Sequence, residues 1–466
     1  MNPSLRNWTS WLIGGVLLCA VGFQNEFPLI YPDTGTYIEC GFRGEQWVYG
    51  RSMAYALFIR HASLAESLWY VMLAQGLLLS SAMLLTLRHF LPRRVRPHAD
   101  LIHLGLILLL VLCSGISVRT SQLMPDIFTP MAAMGMMLVL FAPGLSRLEG
   151  IYLSLLTVWS LMSHPSNLAS FLLLLGGLSL WWSWQWWRTR QWAIVPRRWL
   201  WGALLLGAAW LLVPTLNYAH GAHFRVTESS PIFFMGKLNY LGILPLFLER
   251  ECETDSSYLF CEYRGQIPYQ FLWDRRSPMA KMGGWQAADP AAYRELTSTI
   301  LSKPRYLKLY LEGVLVGTVK QFFNFQTANL DAGKRHGTPY VHKRFYHEER
   351  ILKASKQWND RLDLSDLQRR EPWLIYASLF VVLVLWFRPS WRPYLSAEAT
   401  WVLVFVVGLL LTNAAVCGGL SNGTMRYQNR LVWLLPFVLG MLGGGVALDL
   451  WHQVRSWLTT RGASHP

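Results

Sequence analysis

Asp33, Arg51, Asp126, His164 and Arg426 each stand within a few residues of a long hydrophobic run, where an apolar chain can least easily carry polar groups. A carboxylate beside hydrocarbon is costly unless it is hydrated, paired or used. Asp33 follows such a run directly, in YPDTGTY, and a carboxylate partly withdrawn from water is a stronger base, able to take a proton from an attacking hydroxyl. The same position also suits a helix cap or a turn. Asp126, in SVRTSQLMPDIFTP with Arg119 nearby, reads as a cap for the next helix, or else as a second acidic group or metal ligand beside Asp33. His164 and Asn167 share the short loop SHPSN, where a histidine either satisfies a helix end or binds substrate. Arg426, Tyr427 and Arg430 precede a late apolar run in MRYQNRLVWLLP. Arginine there can grip a phosphate with a fork of donors or anchor the helix at the lipid boundary. Arg51, in YGRSMAYALFI, can pair with Asp33 or face a lipid phosphate.

The elements that would position these groups are membrane spans. Of 466 residues, 53% are hydrophobic and only 15% are charged, well below the charged share of a soluble domain, and the aromatic content of 14% excludes a disordered chain. Runs near bilayer length predict ten helices, at about 10–30, 64–87, 101–118, 127–143, 150–162, 167–186, 199–217, 372–388, 399–417 and 431–450. The run at 150–162 is short enough to be re-entrant or tilted. The fold class expected is therefore an all-α integral membrane bundle with a mostly helical extracytoplasmic domain. An N-terminal module occupies 1–217, with its first outer loop at 31–63. The outer domain follows at 218–371, and a C-terminal module fills 372–466.

Basic residues in the short loops set the expected orientation. Arg88, Arg93, Arg94 and Arg96 lie on one side, as do Arg188, Arg190, Arg197 and Arg198, joined by Arg388, Arg392, Arg455 and Arg461. Both termini are then cytoplasmic, in a bacterial inner membrane, and 218–371 is periplasmic. The net charge of +15 is explained by anionic lipid at that face and calls for no nucleic acid. The first 22 residues resemble a signal peptide without a small-residue cleavage site, so the first span is expected to be retained. Around 304–325 the apolar residues recur with roughly helical spacing between lysines and arginines, which fits a helix lying in the interface or an ordinary helix of the outer domain. Cys252 and Cys261 bracket an acidic loop on the outer side and suit a disulfide; no cysteine or histidine spacing suits zinc.

Taken together, these residues resemble the GT-C superfamily, integral-membrane glycosyltransferases that use polyprenyl-phosphate sugars. The likeness lies in the many spans, the acidic residue of a long first outer loop, the Pro-led segment ILSKPRYLKLYLEGV and the Arg-Tyr stretch MRYQNRLVWLLP. Many members carry two adjacent acidic residues in the first loop, whereas here Asp33 is followed by Thr34. The chain resembles more closely a set of bacterial polytopic membrane proteins, through YPDTGTYI, GRSMAYALFI, QLMPDIFTP, SHPSN and FLWDRRSP, a likeness that brings no activity with it.

The GT-C resemblance implies transfer of a sugar from a lipid-phosphate donor to a glycan, lipid or protein acceptor at the outer face, with inversion at the anomeric carbon. Asp33 would be the base, Asp126 and His164 further catalytic candidates, and Arg51, Arg119, Arg426 and Tyr427 the phosphate-binding candidates. No cofactor is assigned, although a divalent ion (Mg or Mn) could be held through Asp126. Two alternatives are an acyltransferase using His164 with Asn167, and a transporter or flippase of envelope glycolipids. The apolar centres of the spans and the lack of half-to-half symmetry weigh against transport.

Overall fold

In this computed structural model, residues 3–44, 51–190, 195–327, 330, 338–387 and 397–443 are described. The described chain is helical and contains no strand. Among the described residues, six helices are long and apolar enough to cross a bilayer: Leu68–Phe90, Arg96–Cys113, Pro165–Thr189, Pro196–Ala219, Ser365–Phe387 and Glu398–Leu420. The chain is thus a multi-pass membrane protein. Large apolar side chains left uncovered on these helices, among them Leu173, Leu180, Leu204, Leu211, Phe380 and Leu383, are what a lipid-facing surface requires.

These six match six of the ten expected runs. The remaining four differ for identifiable reasons. The run at 10–30 is divided at Cys19 into Pro3–Leu18 and Ala20–Asn25. The run at 127–143 is the 14-residue helix Phe128–Phe141, every residue of which is buried within the protein. Its hydrophobicity serves the core on all sides, which a hydropathy window reads as membrane. The run at 150–162 is the 16-residue helix Arg147–Met162, begun by a capping box in which Ser146 and Glu149 satisfy each other's backbone N–H groups. The run at 431–450 is described only as far as residue 443, where helix Arg426–Val432 gives way to a turn at Trp433 and a further helical stretch. Arg388, Arg392, Arg455 and Arg461 lie outside the described residues.

The segment expected as one outer domain contributes to two cores. Residues 232–306 form a separate core around Leu244, Phe247, Phe260 and Phe271. Phe325, Val341, Phe345 and Leu352 instead join the main core of the bundle. Within the smaller core, Ser230–Tyr240 and Ile243–Glu251 are apolar helices bent through 84° at the intervening Gly242, which takes φ 72° where a Cβ would be strained. Cys252 and Cys261 are joined by a disulfide that closes the acidic loop beside this core. Cys19, Cys113 and Cys417 are free. We expect alkylation of Cys252 and Cys261 only after a reductant is added. Replacing the pair by serine should lower the stability of the 232–306 core by about 2–3 kcal/mol, the size expected for so short a closed loop. Equal alkylation with and without reductant would exclude the bond.

The segment around 304–325 forms helix Pro304–Phe322, started by Pro304 in the first turn, where its missing N–H costs nothing. It lies against Ala397–Leu420. A Cβ on Gly317 would come within 2.6 Å of the Gly418 carbonyl oxygen, and one on Gly418 within 2.5 Å of that of Gly317. Only glycine allows the two backbones to meet so closely.

Candidate functional site

The segment 29–34 is fixed to the 115–127 segment through its backbone. Leu29 N–H donates to the Ser121 carbonyl at 2.9 Å, and Leu123 N–H donates to the Leu29 carbonyl at 2.8 Å. The Thr34 hydroxyl adds a bond to the Leu123 carbonyl at 3.0 Å. This bridge sets Asp33 near Asp126. Between them lies Tyr31, whose ring is covered by the Arg426 guanidinium at 4.5 Å.

Asp33 occupies the N-cap position of helix Thr34–Arg43, but its side chain makes no capping bond. Its Oδ1 instead accepts from Arg51 Nη2 at 2.5 Å, and Oδ2 has no hydrogen bond to a described residue. Both side chains remain about one-fifth exposed, so solvent or a substrate reaches the carboxylate. Burial works against the Arg51 cation most strongly, yet the Asp33 carboxylate together with the Tyr37 and Tyr427 hydroxyls outweighs it, and the Arg51 pKa is raised.

Asp126 caps nothing either. It is buried, with Oδ2 at 3.5 Å from Arg426 Nη1 and Oδ1 at 3.5 Å from Arg430 Nη1. Arg430, completely buried, also donates from Nη2 to the Ser166 hydroxyl and to Asn413 Oδ1, each at 2.8 Å. Arg119 is equally enclosed: Nε donates to Asn429 Oδ1 at 2.7 Å and Nη1 to Gln122 Oε1 at 2.9 Å. Asn429 cannot turn over, because its Nδ2 donates to Glu371 Oε1 at 2.8 Å and to the Phe325 carbonyl at 2.7 Å. Glu371 is held in turn by the backbone N–H groups of Gly115 and Thr327, at 2.8 and 2.6 Å.

His164 takes the structural role open to it. As N-cap of Pro165–Thr189 it accepts at Nδ1 from Ser166 N–H at 3.2 Å, and the Ser166 hydroxyl lies 2.7 Å from the same nitrogen. Since Nδ1 accepts the backbone proton, the hydroxyl is the donor in that second contact. Burial, and then the cation of Arg430, hold the imidazole pKa down at about 3, so His164 stays neutral at ordinary pH. The Tyr427 ring stands edge-on to it at 6.3 Å and lies under both Arg426 and Arg430. Asn167 points elsewhere, accepting from Thr129 and donating to the Ser160 carbonyl, so it does not join His164.

No protein-family model matches the chain, and no curated protein or solved structure is similar to it. What the site does must be read from its own chemistry.

Among the described residues, Arg51, Arg119, Arg426 and Arg430 gather near Asp33, Asp126 and Glu371. Several of their N–H groups are buried without a hydrogen-bond partner: Nη2 of Arg119, Nε and Nη1 of Arg426, and Nε of Arg430. Buried donors are normally satisfied, so such a group of orphans points to an anion that would complete them. The residues fit a metal poorly. Asp126 Oδ1 accepts from Arg430, Oδ2 makes no hydrogen bond but faces the Arg426 cation at 3.5 Å, and no three acidic, histidine or cysteine side chains converge among the described residues.

The site lies where apolar helices begin and end: just beyond Cys113, just before Pro165, and at Cys417 near the end of Ala397–Leu420. Sequence reading found Asp33, Arg51, Asp126, Arg119, Arg426 and Tyr427, and the fold brings them together. It missed Tyr31, Asn413, Asn429 and Glu371. Glu371 directly precedes the apolar run at 372–388, and only its burial reveals its use.

Proposed function

We propose that the protein transfers a sugar from a lipid-phosphate donor to a hydroxyl acceptor at the outer membrane boundary, in the manner of the GT-C enzymes that its sequence resembles. The observation that carries this reading is the pairing of a reachable carboxylate, Asp33, with an arginine cluster whose buried donors lack partners. The Asp33 carboxylate takes the acceptor's proton as the acceptor oxygen bonds to the anomeric carbon. The bond from that carbon to the phosphate oxygen breaks, and the lipid phosphate departs with the electron pair. Attack from the side opposite the phosphate inverts the anomeric centre. Phosphate is a good leaving group, so one carboxylate serves where glycoside hydrolysis uses two. Arg426, with Arg119 and Arg430 behind it, offsets the charge that develops on the phosphate. Asp126 balances those arginines, and no metal is assigned to it. This reading keeps both termini cytoplasmic and an inner-membrane location, with the site facing the periplasm.

The test uses the full chain in vesicles with a polyprenyl-phosphate hexose labelled in the sugar, offered to extracted envelope glycans and lipids. Wild-type protein is expected to move the label. Arg426→Gln should raise the KM for the donor about 10–100-fold, the cost of losing charged hydrogen bonds to an anion. No transfer by the wild type across a panel of such donors, or unchanged kinetics in Arg426→Gln, would overturn the reading.

A further inference from the structure

The helices that frame the site carry a second feature at their other ends. From Ser166 to Gln185 the helix Pro165–Thr189 rises about 29 Å, close to the thickness of the hydrocarbon layer. At that far end it meets the start of Ala397–Leu420, and the two enclose an open cavity of about 400 Å³ lined by Trp181, Trp184, Gln185, Thr400, Trp401 and Val404. The walls are rigid: Trp181 packs on Trp401 with ring centroids 5.5 Å apart, Trp182 backs Trp401 at 5.6 Å, and Trp199 braces Trp182 at 4.6 Å.

Two polar features mark the cavity as more than a lipid-facing groove. The Arg188 guanidinium lies over the Trp184 ring at 4.9 Å, and no carboxylate pairs with it among the described residues. Gln185 Oε1, in the lining, is buried without a hydrogen-bond donor. An apolar slot therefore carries an unneutralised cation at its rim and an acceptor that needs an O–H or N–H.

We propose that this cavity is a selective site for an anionic phospholipid with a hydroxylated headgroup. One acyl chain lies among the tryptophans, the phosphate pairs with Arg188, and a headgroup hydroxyl donates to Gln185. A zwitterionic choline lipid would place a second cation near Arg188 and offers Gln185 no donor. The inference does not depend on the transferase reading, since it concerns the opposite membrane boundary.

The test is native mass spectrometry of the full chain in detergent, titrated with phosphatidylglycerol or phosphatidylcholine of identical chains. Wild-type protein should retain phosphatidylglycerol about fivefold more tightly, the size expected for one basic side chain at a membrane surface. Arg188→Gln should remove most of the preference. Gln185→Leu should weaken phosphatidylglycerol while leaving phosphatidylcholine unchanged. Thr400→Trp, which adds bulk to the cavity lining and leaves the Arg188 and Gln185 side chains in place, should abolish the preference as well. All three variants should melt like the wild type. Equal retention of both lipids by the wild type, or a preference that survives both Arg188→Gln and Thr400→Trp, would overturn the proposal.

Discussion

Asp33→Asn is expected to lower kcat about a thousandfold while leaving the protein folded and the donor KM little changed. Removal of a general base typically costs 10²–10⁴ in rate, about the range expected when the acceptor hydroxyl must lose its proton unaided. Asparagine matches aspartate in shape, and its oxygen can still accept from Arg51. The ion pair being lost is partly solvated at both ends. Pairs of that kind contribute about 1 kcal/mol or less, so the melting temperature should barely move. Separation of the two effects is what makes the experiment informative. A variant that melts like the wild type and has lost turnover places Asp33 in the chemistry. A variant that melts and turns over like the wild type removes the proposed base altogether.

The second large effect is one of stability. Asp126→Asn keeps the shape of a buried side chain and deletes the charge that faces Arg426 and Arg430 at 3.5 Å each. Breaking a buried ion pair by removing one partner typically costs about 3–5 kcal/mol, because the remaining cation is left uncompensated in a medium of low polarity. Here two cations would be stranded. We expect a sharp fall in folded yield and melting temperature in detergent. The companion double variant, Asp126→Asn with Arg430→Gln, should recover a substantial part of the loss by removing one stranded charge. If Asp126→Asn alone is as stable as the wild type, Asp126 is not the counter-charge of the cluster. If the double variant is less stable than the single, the energetic coupling between the two residues is not electrostatic.

The two variants also separate roles that the sequence left merged. Asp33 and Asp126 both stand beside apolar runs, and both could have been helix caps. Neither side chain caps a helix, since each is turned toward arginine. Their difference is exposure: Asp33 can be reached from outside, whereas Asp126 is enclosed. Exposure depends on what packs over a residue, which local sequence does not contain. His164 followed the opposite course, taking the plain capping role because the helix beginning at Pro165 needed an acceptor for the Ser166 N–H.

By itself, the sequence determined that this chain is helical and lives in a membrane. It also located six apolar helices, the Cys252–Cys261 pair and most of the charged residues that gather at one site, because hydrophobic run length and the high cost of charge near hydrocarbon are local properties. Only the tertiary structure decided which apolar runs are lipid-facing and which, like Phe128–Phe141, are sealed inside protein. It also decided that Glu371 and Asn429 brace Arg119 across more than 250 residues of chain. The physical reason is that a buried polar network is specified by partners distant in sequence, each affordable only when the others are in place.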